Sequence, residues 1–302
     1  MQLDNAKFYQ WIKQCNQYDL QQFIPFVVAD KTIGYVHKNK LDWFTIYPEL
    51  ELHNQQLLLS NKLYDFEQRT LVMNRIAKDL YKKNKITSWV GEQYDVATAY
   101  GEEVLFTIER AAATLFGIQK YGVHINAYVI KQGKYSLWVA KRSQDKPTWP
   151  GKLDHLVAGG HGSGMAIKTT MLKECQEEAG MSEEIAKHAI PVASINYNQQ
   201  VNDKFSRDVL FIYDIKLNQD FVPINTDGEV EEFYLWPIEK VLSIVKSSDK
   251  FKTNCNLVII DFAIRHGFIQ PDETLYAQLS NGLHQSTIIG SNFNQKNEKN
   301  NA

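Results

Sequence analysis

The segment Gly159–Met181, read as G-G-H-G-S-G-M-A-I-K-T-T-M-L-K-E-C-Q-E-E-A-G-M, constrains this chain more than any other stretch. It sets a glycine-rich loop directly before a helix bearing Glu174, Glu177 and Glu178. Carboxylates at i, i+3 and i+4 share one helical face. Like charges held that close repel one another unless a cation lies among them. Ile167, Met171, Cys175 and Ala179 recur every four residues as a core-facing stripe beside the acidic face, which puts the glutamates at the edge of a cleft rather than on a solvated side. Gly180 stands where a left-handed C-cap is expected, and the acidic residues of the last turn oppose the helix macrodipole. A helix shaped by stability alone carries Lys or Arg there. The pattern therefore predicts carboxylates kept for a ligand.

The 302-residue chain is long enough for two domains with a sizeable core. Its formal net charge of −2 gives no pull toward nucleic acid or anionic membrane, and no basic stripe argues otherwise. Cys15, Cys175 and Cys255 lack C-x-x-C spacing, so neither a disulfide framework nor a zinc site is expected. The N-terminal stretch M-Q-L-D-N-A-K-F-Y-Q has no apolar core of the signal-peptide kind, and no window approaches the ~18 apolar residues of a membrane span. A cytoplasmic location is the default expectation.

Along the chain, residues 1–118 read as a smaller α+β domain. Ala6–Gln14 and Phe66–Lys82 have helical periodicity, Phe23–Asp30 and Thr32–His37 read as strands, and Leu105–Phe116 reads as a helix stopping at Gly117. Residues 119–278 form the second unit. His124–Lys131 and Lys134–Lys141 flank Gln132-Gly133 as a tight hairpin, Asp208–Ile215 and Glu231–Trp236 read as strands, and Pro237–Val245 and Asn256–His266 read as helices. From residue 279 the chain turns rich in Asn, Gln, Ser and Lys, the composition of a disordered tail. This pattern alone specifies α/β or α+β.

The spacing of Gly159, Glu174, Cys175, Glu177, Glu178, Gly180 and Met181 resembles the Nudix box. Two positions depart from it: Met165 stands where the family has Glu, and Lys173 stands where it has Arg. In the family those side chains pair and brace the loop against the helix, so the expectation is lost bracing rather than lost chemistry. The resemblance implies an α/β/α sandwich with a mixed sheet.

Four further segments, Ile108–Ile118, Tyr121–Val129, Pro150–Gly160 and Asp227–Phe233, resemble the thiamine-pyrophosphokinase-related branch of the Nudix superfamily, with W-V-G-E at Trp89–Glu92 departing from its Trp-Arg-Asp-Glu. The chain has no room for the kinase domain of some fungal members. What the resemblance implies is cleavage of a diphosphate in oxidised or damaged thiamine diphosphate-like compounds to the monophosphate. Glu174, Glu177 and Glu178 are the expected catalytic and metal-binding residues, with Mg²⁺ as the ion and Mn²⁺ as the alternative. One helix glutamate, or an acid of D-G-E-V-E-E-F such as Glu229, Glu231 or Glu232, is the candidate base. Gly159 and Gly160 offer backbone amides to the phosphates, Arg142 and Lys146 are candidate phosphate partners, and Trp149 and Trp89 are candidates for stacking on a substrate ring. Asp154 is a further ligand or a turn former, and His155 and His161 are histidines near the box without a visible partner.

The competing readings are hydrolysis of an oxidised nucleoside triphosphate or other nucleoside diphosphate derivative, and a degenerate ligand-binding sensor that turns nothing over. The partner expected is a small-molecule diphosphate. The N-terminal domain either shapes the substrate pocket or mediates a homodimer, and the sequence leaves both open.

Overall fold

The structure is a computed structural model that describes residues 5–146 and 148–284. Its first part runs α1 (Ala6–Cys15), β1 (Phe23–Val28), β2 (Lys31–His37), α2 (Leu41–Phe44), β3 (Leu50–His53), β4 (Gln56–Leu59), α3 (Phe66–Lys82), β5 (Gln93–Val96), β6 (Phe106–Glu109) and α4 (Arg110–Ala113). The second runs β7 (Gln119–Lys131), β8 (Lys134–Arg142), β9 (Leu153–His155), β10 (Val157–Gly160), α5 (Ile167–Ala179), α6 (Glu183–Ala186), β11 (Ile190–Val201), β12 (Lys204–Lys216), β13 (Val230–Pro237), α7 (Ile238–Ser247), α8 (Thr253–Arg265) and α9 (Tyr276–Leu283).

In the N-terminal domain a four-stranded sheet of order β2-β1-β4-β3 and the small β5-β6 pair share a core with α3. Asp65 caps α3 by accepting from the Gln68 amide at 2.7 Å, and Met73, Ile76, Ala77 and Leu80 form its buried face. The helix expected over Leu105–Phe116 is a correction. Phe106–Glu109 is a strand paired with β5, and only Arg110–Ala113 is helical. Aromatic and β-branched residues at 106–108 fit a pleated ladder better than a helical turn, and all of β6 is buried.

The second part is a seven-stranded mixed sheet of order β11-β12-β7-β8-β13, with β10 against β7 and β9 against β8. β7 runs parallel to β12 and antiparallel to β8 through the expected two-residue turn, where Gln132 and Gly133 both take positive φ. Alternation along β7 explains the layers. Val123, Ile125, Ala127 and Val129 pack with Ile167, Met171, Cys175 and Ala179 of α5, so the whole stripe read from the sequence is buried. On the opposite face, Leu137, Val139, Leu210 and Ile212 pack with α7 and α8. The result is the α/β/α sandwich.

Two departures concern the chain's ends. α1 packs in the second part's core through Phe8, Trp11, Ile12 and Cys15, and the Trp11 indole N–H donates to the Val245 carbonyl at 2.8 Å. An amphipathic helix goes where its apolar face is covered, and α7, α8 and α9 cover this one rather than its sequence neighbours. The tail expected from residue 279 starts too early, because Leu279 and Leu283 are buried anchors of α9; residues 285–302 lie outside the described residues.

His124, Asp154, His155 and Cys255 form a buried polar group beneath β7 and β9. His124 Nδ1 and His155 Nδ1 share a hydrogen bond at 2.9 Å, the Cys255 thiol donates to Asp154 at 2.8 Å, and the Arg142 guanidinium pairs with Asp154 at 3.0 Å. Burial lowers His155 to about 4, with Asp154 opposing, and lowers His124 well below its ordinary range. Both rings are therefore neutral in the folded protein at pH values where the unfolded chain, with His near 6.5, binds protons. Stability is complete above about pH 6.5 and falls as pH drops toward 4. Urea unfolding at pH 7.5 and 4.5 checks this: His155→Gln should remove on the order of 2–3 kcal/mol of the acid-induced loss, at roughly 1.4 kcal/mol per tenfold change in proton affinity.

Candidate active site

β10 brings Val157–Gly160 alongside β7, and the chain then crosses Gly162 and Gly164 to enter α5. Gly164 has φ +75°, a backbone region open to glycine and strained for other residues. At the far end of α5, Gly180 has φ +59°, its amide bonds Gln176 and the Met181 amide reaches back to Cys175, both at 3.0 Å. The last carbonyls of α5 are also met from outside: the Thr226 hydroxyl donates to Glu177 O at 2.6 Å and the Ile224 amide to Ala179 O at 3.0 Å. These bonds satisfy the C-terminal turn and so allow it to carry acids instead of basic residues.

The three glutamates sit in three environments. Glu178 is 6% exposed, and its Oε2 accepts from the Ala158 amide at 2.7 Å. Burial pushes its carboxyl well above the ordinary carboxylate range, with that hydrogen bond opposing. Glu174 lies across Gly159: a Cβ added at that glycine would fall 2.2 Å from the Glu174 carboxyl carbon. Burial raises Glu174 as well, and Lys173 opposes. Glu177 is half-buried at the rim and pairs with Lys173 at 2.5 Å; the same ammonium reaches Glu174 at 3.3 Å. A side-chain cation drawn between two carboxylates, with a third buried beside them, marks where positive charge is wanted. The all-oxygen donor set fits a hard divalent cation.

The other candidate residues divide. Gly160 packs under the Tyr94 hydroxyl, 2.3 Å from where a Cβ would stand, so a side chain there would collide with Tyr94. Arg142 is a correction. It is buried, and its guanidinium is taken up by Asp154, Thr148 O and Trp149 O, which leaves it as an internal brace of the loop after β8 rather than a phosphate partner. Asp154 is neither a site ligand nor a turn former; besides Arg142 and Cys255 it meets Lys252 at 3.5 Å. With those two positive charges against Asp154, and the thiol and one nitrogen of each ring used in hydrogen bonds, this group of His124, Asp154, His155 and Cys255 is a structural network although its donor atoms lie within 4.8 Å.

Lys146 pairs with Glu229, whose carbonyl accepts from the Ser143 amide at 2.9 Å, and Glu229 is near enough to Glu178 to raise it. Glu231 pairs outward with Lys141, and Glu232 with the Tyr234 hydroxyl. Trp149 is 44% exposed on the loop after β8, while Trp89 packs on the N-terminal core beside Tyr81, with ring centres 5.2 Å apart. His161 is not partnerless: its Nδ1 bonds the Thr170 hydroxyl of α5 at 2.8 Å.

Two groups were not found from sequence. Tyr100, Tyr121 and Phe211 form an aromatic surface at the loop, with Tyr100 centred 5.3 Å from Tyr121, 5.0 Å from Phe211 and 5.8 Å from His161. The β5 segment of the N-terminal domain also touches the glycine loop: the Ser163 amide donates to Gln93 O at 2.8 Å and its hydroxyl to Asp95 at 2.5 Å. Their only sequence signal was proximity to segments already matched, at separations too long for any periodicity to report.

Comparison with known proteins agrees with this geometry. A family model described as the NUDIX domain matches residues 120–255, and one described as a domain of unknown function (DUF4743) matches residues 7–120. Nudix hydrolase 20, chloroplastic, of Arabidopsis thaliana is 42% identical over 288 residues, covering 91% of this chain and 77% of that protein. Nudix hydrolase 24, chloroplastic, of the same plant is 41% identical over 92% of this chain and 79% of its own length. An uncharacterised protein of Saccharomyces cerevisiae is 36% identical over 74% of this chain and 70% of its own. The chain belongs to the Nudix hydrolases, enzymes of the pyrophosphohydrolase class, with a DUF4743 domain ahead of its Nudix domain.

Three substitutions test the site. Glu177→Gln and Glu178→Gln should each lower turnover by orders of magnitude while circular dichroism stays that of the parent; near-parental activity in both removes the assignment. Gly159→Ala should displace the Glu174 carboxylate, a flexible group that moves easily, so turnover should fall about 10–100-fold with little change in Tm.

Proposed function

We propose that this enzyme hydrolyses the diphosphate of a thiamine diphosphate-like compound, in oxidised or damaged form, releasing the monophosphate. The aromatic surface of Tyr100, Tyr121 and Phe211 beside the acidic helix carries this reading. A heteroaromatic ring, and a cationic thiazolium above all, is attracted to aromatic faces. The diphosphate then extends over the glycine loop toward Glu174, Glu177 and Glu178. The likeness of four separate segments to the thiamine-pyrophosphokinase-related branch supports the same substrate class.

Glu174, Glu177 and Glu178 would hold Mg²⁺, or Mn²⁺, which when bound neutralises phosphate charge and acidifies water. The chain's own groups do the rest. The amides near Gly159 and Gly160 face the phosphates, and the bond from Ala158 fixes one Glu178 oxygen so that the other stays available. Lys173, which pairs with Glu174 and Glu177, would yield those carboxylates to an ion held there, and its ammonium would then be available to the leaving phosphate. Glu229, within electrostatic reach of Glu178, is the proposed base, held by Lys146 until substrate enters.

Oxidised nucleoside triphosphates and nucleoside diphosphate derivatives also offer a ring and a diphosphate, and a sensor would bind without cleaving. Monophosphate release should be measured with thiamine diphosphate, its oxidised derivatives and oxidised nucleotides, with Mg²⁺ and with chelator. Metal-dependent preference for the thiamine class is expected, and Tyr100→Ala should raise KM more than it lowers kcat. Preference for nucleotides, or tight binding without turnover, overturns the reading.

A further inference from the structure

The N-terminal domain reaches the catalytic loop with a set of charged side chains that the hydrolytic reading leaves unused. Glu92 begins this set. A Cβ built on Gly162 would lie 3.1 Å from Glu92 Oε1 and 3.0 Å from the Met165 methyl, so the Glu92 carboxylate and the end of Met165 meet over the same glycine. Arg110, at the start of α4, pairs with Glu92 at 2.9 Å, and its backbone amide bonds the Glu92 carbonyl at 2.8 Å. The Arg110 guanidinium carbon lies 3.5 Å from where a Gly160 Cβ would stand and 5.9 Å from the Tyr94 ring centre. Asp95 completes the set by accepting from the Ser163 hydroxyl at 2.5 Å and the Gly164 amide at 3.3 Å. From Gly160 to Gly164 the loop is thus contacted by Glu92, Tyr94, Asp95 and Arg110, all from the other domain.

Positions 165 and 173 supply no such brace. Met165 has no charge, and the Lys173 ammonium is engaged with Glu174 and Glu177 on its own helix, so it ties the helix to itself rather than to the loop. Met165 and Glu92 nevertheless converge on one point. Arg110 lies close enough to Glu174 for the two to interact electrostatically, and so does Glu92.

We propose that Glu92 and Arg110, paired within the N-terminal domain, present to the loop of the second domain the carboxylate–guanidinium pair that positions 165 and 173 lack. They are positioning residues that hold the Gly159–Gly164 loop, with Asp95, in the form Glu174 requires. The N-terminal domain is then a working part of the active site. This explains why a lysine is tolerated at 173: the guanidinium beside the loop is provided by Arg110, through its bond to Glu92, instead.

The test uses the full chain and two readouts, because it rests on the hydrolytic reading only in part. Hydrogen exchange of the 159–166 segment reports the loop whether or not the substrate class is right, and steady-state kinetics report its consequence. Glu92→Gln, which keeps the shape and removes the charge, should speed exchange of that segment while the rest of the chain is unchanged. It should also lower kcat about 10–100-fold, the usual effect of disturbing a group that orients catalytic carboxylates. Adding Met165→Glu to Glu92→Gln should restore both, because it returns a carboxylate to the same point from the loop's own side. Met165→Glu alone should not help, since it sets a second carboxylate against Glu92. Arg110→Ala should mimic Glu92→Gln.

Unchanged exchange in Glu92→Gln and Arg110→Ala overturns the proposal, as does failure of Met165→Glu to rescue Glu92→Gln. If the wild type cleaves none of the substrates tested, the exchange results still decide this proposal while the substrate reading falls by itself.

Discussion

Everything at the site depends on how β10 grips the acidic face of α5. The Ala158 amide holds Glu178, and Glu174 lies across Gly159 in space that only a glycine leaves open. One side of the helix is buried apolar stripe and the adjoining side is carboxylate, so the same packing that covers Met171 and Cys175 presses two ionisable groups against the sheet edge. Burial disfavours their charge, and neighbouring carboxylates disfavour it further, Glu177 and Glu92 at Glu174 and Glu174, Asp154 and Glu229 at Glu178. A divalent cation among these carboxylates would relieve both effects at once.

The two domains are joined at their cores as well as at the loop. Arg207 of β12 is buried and donates to the Ile33 and Gly117 carbonyls of the N-terminal domain at 3.2 and 3.4 Å. The Phe205 ring sits 5.3 Å from Phe23 and 5.7 Å from Tyr35, an aromatic joint between β12 and the N-terminal sheet. This joint fixes where β5 falls relative to β10. Loop bracing from the N-terminal domain is useful only if that relation is held, and the buried aromatic contact supplies the rigidity.

Much of this was legible in the sequence where the signal is local. Helical periodicity placed α3 and α5, two-fold alternation placed the β7–β8 hairpin, and glycine and glutamate spacing put Glu174, Glu177 and Glu178 together on α5 beside the glycine loop. Local signals failed at Leu105–Phe116, where a run of alanines after Arg110 suggested helix and the partner strand 93–96, too short to stand out, decided for β6. β11 was unread because its exposed, polar-rich half shows no clean alternation. Arg142 was misread because a charged residue at a strand end looks exposed until its partner Asp154, twelve residues on, folds back against it. The aromatic surface and the Glu92–Arg110 pair are assembled from residues up to 111 positions apart, as between Tyr100 and Phe211, and no window of sequence contains them. What pattern reads is each element's own face; what it cannot read is which faces meet.

The most direct test of the central claim is to soak crystals in Mn²⁺ and locate the ion by its anomalous scattering. A peak within coordination distance of Glu174, Glu177 and Glu178, with Lys173 withdrawn from Glu174 and Glu177, is the result predicted. No peak there, or a peak confined to the buried group of His124, Asp154, His155 and Cys255, would contradict it.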